Sequence, residues 1–222
     1  MNAVNSDEIE IKDEVVYLSG RRTDISWNKL IQTAYLNRVS LSSQAHHATK
    51  DIYFNREISK GKAFAYHVYG TAIVEATVDC LRGTYEIDSV KVVHDFGKSL
   101  HPVVDRGQAE GAIVQGIGWM TLEEIIYNEK GKLITDALST YKVPDIHFAP
   151  KEIKVHFLED AENPYGPFQS KAIGEPPFMY GIGAYFAIRN AMKAFRPGKQ
   201  FKFNAPITNE KVLLALYENA LP

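Results

Sequence analysis

One carboxylate and two carboxamides stand where chemistry is possible. In the run Ser170-Lys171-Ala172-Ile173-Gly174-Glu175-Pro176-Pro177, small residues form a turn that delivers Glu175 to the start of an apolar helix. Free amides and the dipole at a helix start favour the ionised carboxylate, while an apolar surround disfavours it, and the balance suits a general base. Acidic residues at helix starts also serve as plain caps, and the local pattern leaves both roles open. The second feature is Gly107-Gln108-Ala109-Glu110-Gly111 continuing to Gln115-Gly116, which sets Gln108 and Gln115 near one helix face. Carboxamides there can read the edge of a pterin or purine, or can simply be polar residues beside tight helix packing.

Other chemistries find little support. His46 and His47 are adjacent, and no histidines stand at the i, i+4 spacing of a zinc-binding helix, so no protein metal ligands are assigned. There is no nucleophile-elbow, phosphate-loop or dinucleotide-binding glycine pattern. The single cysteine, Cys80, cannot supply an internal disulfide or an iron–sulfur cluster. A formal charge of −2, from 25 basic and 27 acidic residues, argues against a nucleic-acid partner. No stretch has the length and apolarity of a membrane span, and the polar start lacks a secretory pattern, so a cytoplasmic location without membrane contact is expected.

The elements that must position these residues can be read from periodicity. Ile9, Ile11, Val15 and Tyr17 alternate about Lys12-Asp13-Glu14, predicting a hairpin over 9–18, and Ser26 is the expected cap of a helix over Trp27–Asn37. The polar stretch Ser40–Lys62 reads as a loop. Alternation over Phe64–Cys80, turn residues at Leu81-Arg82-Gly83-Thr84, and a second apolar strand over Tyr85–Asp95 predict a long antiparallel hairpin. A helix is expected over Pro102–Met120, with glycines at 107, 111, 116 and 118 allowing close approach of backbone or ligand. Strands are expected near Thr121–Tyr127, Lys132–Asp136 and Ile153–Leu158, and helices over Pro177–Phe195 and after the cap Thr208. The fold class is α+β, one domain over 1–222, with the long hairpin and a mixed sheet packed on helices.

The same motifs carry a family resemblance. Leu36-Asn37-Arg38-Val39-Ser40-Leu41-Ser42, Val93-His94-Asp95-Phe96-Gly97 through Leu100-His101-Pro102, the two glutamine–glycine runs, Ser139-Thr140-Tyr141-Lys142-Val143-Pro144 and Gly174-Glu175-Pro176-Pro177 resemble the molybdopterin-binding subunit of the xanthine dehydrogenase and aldehyde oxidase family. The resemblance implies that Glu175 matches the catalytic glutamate, taking a proton from a Mo–OH group while hydride passes to a Mo=S sulfur. It implies that Gln108, 67 residues earlier, contacts the pterin. Gly174 belongs to the same cofactor loop, and Lys171 is a cation suited to the pterin phosphate, though surface solvation explains it equally well. His101 departs from the family, which usually carries Asn before that proline.

Family molybdenum subunits are several times longer, and their upstream half carries the remaining cofactor and substrate contacts. The expectation is therefore a C-terminal part of a molybdenum hydroxylase of xanthine or hypoxanthine, active with an upstream partner. Fe–S and FAD groups would lie on other domains or subunits, and the whole could be dimeric. The alternatives are an aldehyde-oxidising member and a non-catalytic scaffold fragment.

Overall fold

The computed structural model describes residues 5–218, which divide into two compact units, one ending at Ala48 and one beginning at Thr49. The first unit begins with a 3-10 turn, Ser6–Glu8, and a three-stranded antiparallel meander. Its strands are β1 (Ile9–Lys12), β2 (Val15–Leu18) and β3 (Arg21–Ser26). Two-residue loops join them, Asp13-Glu14 (φ 48° and 60°) and Ser19-Gly20 (φ 46° and 76°), and positive φ at both positions matches the twist of the flanking strands. The third strand was not expected, because Arg21-Arg22-Thr23-Asp24-Ile25-Ser26 lacks apolar alternation. Helix α1 (Trp27–Leu36) follows, and the Ser26 side chain accepts from the Lys29 amide as anticipated.

The second unit opens with a short ribbon, β4 (Tyr53–Asn55) paired to β5 (Lys60–Lys62), within the stretch expected to be a loop. Its framework is a three-stranded sheet of β6 (Gly70–Asp79), β7 (Thr84–His94) and β8 (Glu152–Phe157), with β7 central, antiparallel to β6 and parallel to β8. The long hairpin and mixed sheet thus follow the sequence reading, with two differences of phase and length.

Inward-facing residues of β7 alternate as Tyr85 and Ile87, then Val90, Val92 and His94, a change from odd to even. A bulge explains it: Glu75 pairs Ser89 and Ala76 pairs Ile87, leaving Asp88 as the extra residue. The first strand begins at Gly70 rather than Phe64, because its partner ends at His94 and the backbone turns away through Asp95, Phe96 and Gly97. Phe64, Tyr66 and Val68 alternate without a ladder partner.

Helix α2 (Pro102–Thr121) buries Ala109, Ile113, Ile117 and Met120 in the core it shares with this sheet. His101 caps it, Nδ1 accepting from the Val104 amide at 3.3 Å. An asparagine side chain can do that same work, so the family departure at this position preserves the cap. After α2, the two expected strands reduce to one bridge between Tyr127 and Leu133, because the helix runs to Thr121 and the Ile126 amide donates to the Thr135 hydroxyl rather than to a ladder carbonyl.

The helix expected from Pro177 divides into a 3-10 turn, Pro176–Gly181, and α3 (Ile182–Phe195), which buries Tyr185, Ile188 and Met192. The closing helix α4 (Asn209–Tyr217) is capped by Thr208 as expected.

Glycines decide how these pieces meet. A Cβ on Gly181 would stand 2.0 Å from the Gly116 carbonyl carbon, and one on Gly116 would stand 2.0 Å from the Phe178 carbonyl oxygen. Neither space admits a methyl group, whereas Gly107 and Gly111 have nothing within 4 Å of an added Cβ. Gly181→Ala is therefore expected to lower unfolding stability by about 1–3 kcal/mol or more through overpacking. Gly111→Ala should raise it by up to about 1 kcal/mol through helix propensity. Urea unfolding of the two variants measures both signs.

Candidate functional site

The paired glycines place the turn bearing Glu175 on α2. Gly174, immediately before it, lies so near the helix that an added Cβ would stand 3.3 Å from Gln108 Oε1. The structure thus brings Gln108, Gly174 and Glu175 into one neighbourhood from positions far apart in sequence. Gln108 and Glu175 are both exposed, while Pro177 is buried and Phe178 rests against Trp119 with ring centroids 5.1 Å apart.

Glu175 stands at the cap position of a 3-10 turn but does not cap it with its side chain. It heads the 3-10 turn with φ −101° and ψ −42°, its own carbonyl accepts from the Phe178 amide at 3.0 Å, and its side chain makes no cap hydrogen bond. Helix α3 starts only at Ile182. The expected help from a helix dipole is accordingly removed, since that effect fades within the first turn. The carboxylate stays free for an external partner.

Lys171 is engaged in a different way. Its Nζ lies 2.5 Å from Asp95 Oδ2, with side-chain exposures of 11% and 4%, so the ammonium is neutralised inside the protein. Its amide donates to the Phe96 carbonyl at 2.9 Å, and Gly97 bridges Ser170. Gly97 needs its positive φ of 63°, and a Cβ there would stand 2.5 Å from the Gln169 carbonyl oxygen. Arg106 lies with its Cζ 6.0 Å from the Phe157 ring centroid.

Sequence reasoning assigned no chemistry to His94 and Tyr180. His94 is 1% exposed at the end of β7, and its Nδ1 lies 2.5 Å from the Tyr180 hydroxyl, with the rings edge-to-face. Burial pulls the imidazole pKa down to about 4, against the opposing charge of Asp95. Burial, then the Asp95 charge, push the Tyr180 hydroxyl up to about 12. Both are neutral at neutral pH, and His94 Nε2 is buried without a partner. A polar residue ending an apolar strand, with a tyrosine across the fold, was the available signal.

The open stretch of α2 fits a planar heterocycle. Gly107 and Gly111, one turn apart, expose helix backbone beside the Gln108 carboxamide, which offers both donors and an acceptor. Among the described residues, no three His, Cys, Asp or Glu side chains converge as metal ligands. No described helix is long and apolar enough to cross a membrane.

Comparison with known proteins shows the family of the chain. Residues 1–150 match the family described as the molybdopterin cofactor-binding domain. The chain belongs to that family. Its cofactor is therefore a molybdopterin, in agreement with the ordered motifs. The chain is 41% identical to the xanthine dehydrogenase/oxidase of Felis catus over 194 residues, covering 84% of this chain and 15% of the relative. It is 39% identical to that of Gallus gallus, covering 84% and 14%. This chain thus spans about one-seventh of the length of those relatives.

Among solved structures, the aldehyde oxidoreductase of Desulfovibrio desulfuricans ATCC 27774 aligns at TM-score 0.58 and 27% identity, covering 71% of this chain and 16% of that one. The quinoline 2-oxidoreductase of Pseudomonas putida 86 shares the fold, at TM-score 0.66 and 22% identity, covering 96% and 26%.

The buried imidazole makes stability depend on pH. Between its ordinary value of 6.5 and about 4, the unfolded chain protonates His94 and the folded chain does not. Folded-state stability is therefore expected to fall as pH drops through that window, with a slope of up to about 1.4 kcal/mol per pH unit from this one group. In His94→Leu that part of the slope should vanish, as followed by urea unfolding at several pH values.

Proposed function

We propose that this chain is the C-terminal part of the molybdenum region of a xanthine dehydrogenase-like hydroxylase, with Glu175 as its general base. The observation that carries the reading is the meeting of Gln108, Gly174 and Glu175 on one open face, from motifs separated in sequence. The similarity to xanthine dehydrogenases over most of the chain supports a purine, xanthine or hypoxanthine, as substrate.

On this reading Gln108 hydrogen-bonds the pterin edge, and the bare backbone at Gly107, Gly111 and Gly174 allows the ring to approach. When bound, the molybdenum group supplies the transferred oxygen and accepts the electron pair from the substrate carbon. Glu175 takes the proton from the attacking oxygen and then holds it as a neutral carboxylic acid. Its exposed carboxylate, unbound by any helix amide, is available for that transfer. Lys171 acts through the loop it anchors, because Asp95 already neutralises its charge.

An upstream half supplies the second wall of the site and the substrate contacts, and Fe–S and FAD domains or subunits carry electrons onward. Molybdenum and pterin should be stoichiometric in this chain purified with that upstream region, and absent from the chain purified alone, by elemental analysis and pterin fluorescence. In the assembled enzyme, Glu175→Gln should lower turnover by about 10²–10⁴-fold with molybdenum content unchanged. Near-normal turnover would overturn the base assignment. A stable complex lacking molybdenum, in a host that makes the cofactor, would favour a scaffold role.

A further inference from the structure

We infer that His94 and Tyr180 are a positioning pair that fixes the turn carrying Glu175, acting together with the Asp95–Lys171 ion pair as a two-point clamp. The effect on turnover rests on the reading of Glu175 as base, whereas the clamp itself does not.

The geometry is specific. His94 and Asp95 are consecutive at the end of β7, and each holds one end of the same segment: Asp95 holds Lys171, and His94 holds Tyr180. Glu175 lies between those two anchors, four residues after one and five before the other. Within the span, the Ala172 amide donates to the Tyr66 hydroxyl at 3.1 Å, and the Phe178 amide closes the 3-10 turn on the Glu175 carbonyl. Nothing holds the Glu175 carboxylate from within its own turn. Its position is therefore set by the backbone that bears it, which α2 supports at Phe178 and Gly181 and which the two pairs fix at its ends.

The far end is held closely. A Cβ on Gly70 would stand 1.7 Å from the Tyr180 hydroxyl oxygen and 2.9 Å from His94 Nδ1, so that glycine is the space the pair occupies. His94 also packs on Phe96, with centroids 4.2 Å apart, and Phe96 meets Phe157 edge-on at 4.6 Å. The imidazole is thus locked between strand ends and presents Nδ1 in one direction. Two apolar side chains would fill the same space without choosing a rotation for the turn, whereas a directional hydrogen bond chooses one. The unpartnered Nε2 is the cost of this choice, a buried polar atom that packing alone does not call for.

The test begins with amide hydrogen exchange on the 222-residue chain. Tyr180→Phe removes one hydroxyl and should speed exchange across 172–181 by about tenfold, the factor that one net hydrogen bond supplies, while 184–192 of α3 stays protected. In the assembled enzyme the same variant should lower kcat about tenfold or more with KM within about twofold, because a misplaced base costs the chemical step rather than binding. The double variant His94→Leu/Tyr180→Phe separates positioning from stability. It removes the orphaned polar atoms, so Tm should return to the wild-type value or above while exchange and kcat stay impaired. Exchange and kcat that recover together with Tm, or that never change in Tyr180→Phe, would overturn the clamp. Glu175→Gln keeps the two readings distinct: normal turnover there removes the base, and exchange across 172–181 still judges the clamp.

Discussion

The backbone contact between Gly116 and Gly181 is the constraint on which the candidate site depends. A second approach, Gly174 to Gln108, lies eight residues earlier on α2 and seven residues earlier on the other segment. The two stretches therefore run side by side in the same direction. Eight residues of α-helix advance about 12 Å. Seven residues at the looser rise of a 3-10 helix advance about 14 Å, and seven at α-helical rise only about 10.5 Å. The roughly 12 Å of α2 lies between these two spans, so either kind of turn stays within about 2 Å of its neighbour. The prolines open the turn with φ already set, at positions whose amides would have no helical partner in any case.

Much of the fold was legible because its periodicities are clean. The hairpins, the cap at Ser26, the glycine-bearing helix and the cap at Thr208 each follow from side-chain type and spacing. What escaped was set by strand pairing rather than by a strand's own side chains. Phe64, Tyr66 and Val68 alternate as well as the residues after them, yet strand β6 starts at Gly70 because β7 has ended. Arg21–Ser26 carries no apolar alternation and is a strand nonetheless, because a tight turn at Ser19-Gly20 returns it to β2. The Asp88 bulge shifts a phase that no single strand could reveal.

The site was legible in part. Motif resemblance singled out Gln108, Gly174 and Glu175, and the fold gathers them. Lys171 was read as a cation for an anionic ligand, and its chemistry suits that, but a buried Asp95 stands beside it. Such a pair, 76 positions apart in sequence, is recognisable only once the chain has folded back. Removing one member of a buried pair costs about 3–5 kcal/mol, while replacing both by apolar groups is often neutral, so its use is better sought in the geometry it imposes than in net stability.

The glycines of α2 carry a further distinction that spacing conceals. Gly116 and Gly118 are small because protein stands against them: the Phe178 carbonyl oxygen at one and the Pro144 ring at the other. Gly107 and Gly111 are small with nothing against them, so folding alone does not explain their lack of a side chain. One helix thus has a face closed by the protein's own backbone and a face left bare beside Gln108. Hydrogen bonds made on a bare face compete with water and contribute little individually. A ligand held there gains from them only when a second surface closes over it and lowers the local dielectric. The same closing surface would surround the Glu175 carboxylate, exposed in this chain, and so create the apolar surround that a carboxylate base requires.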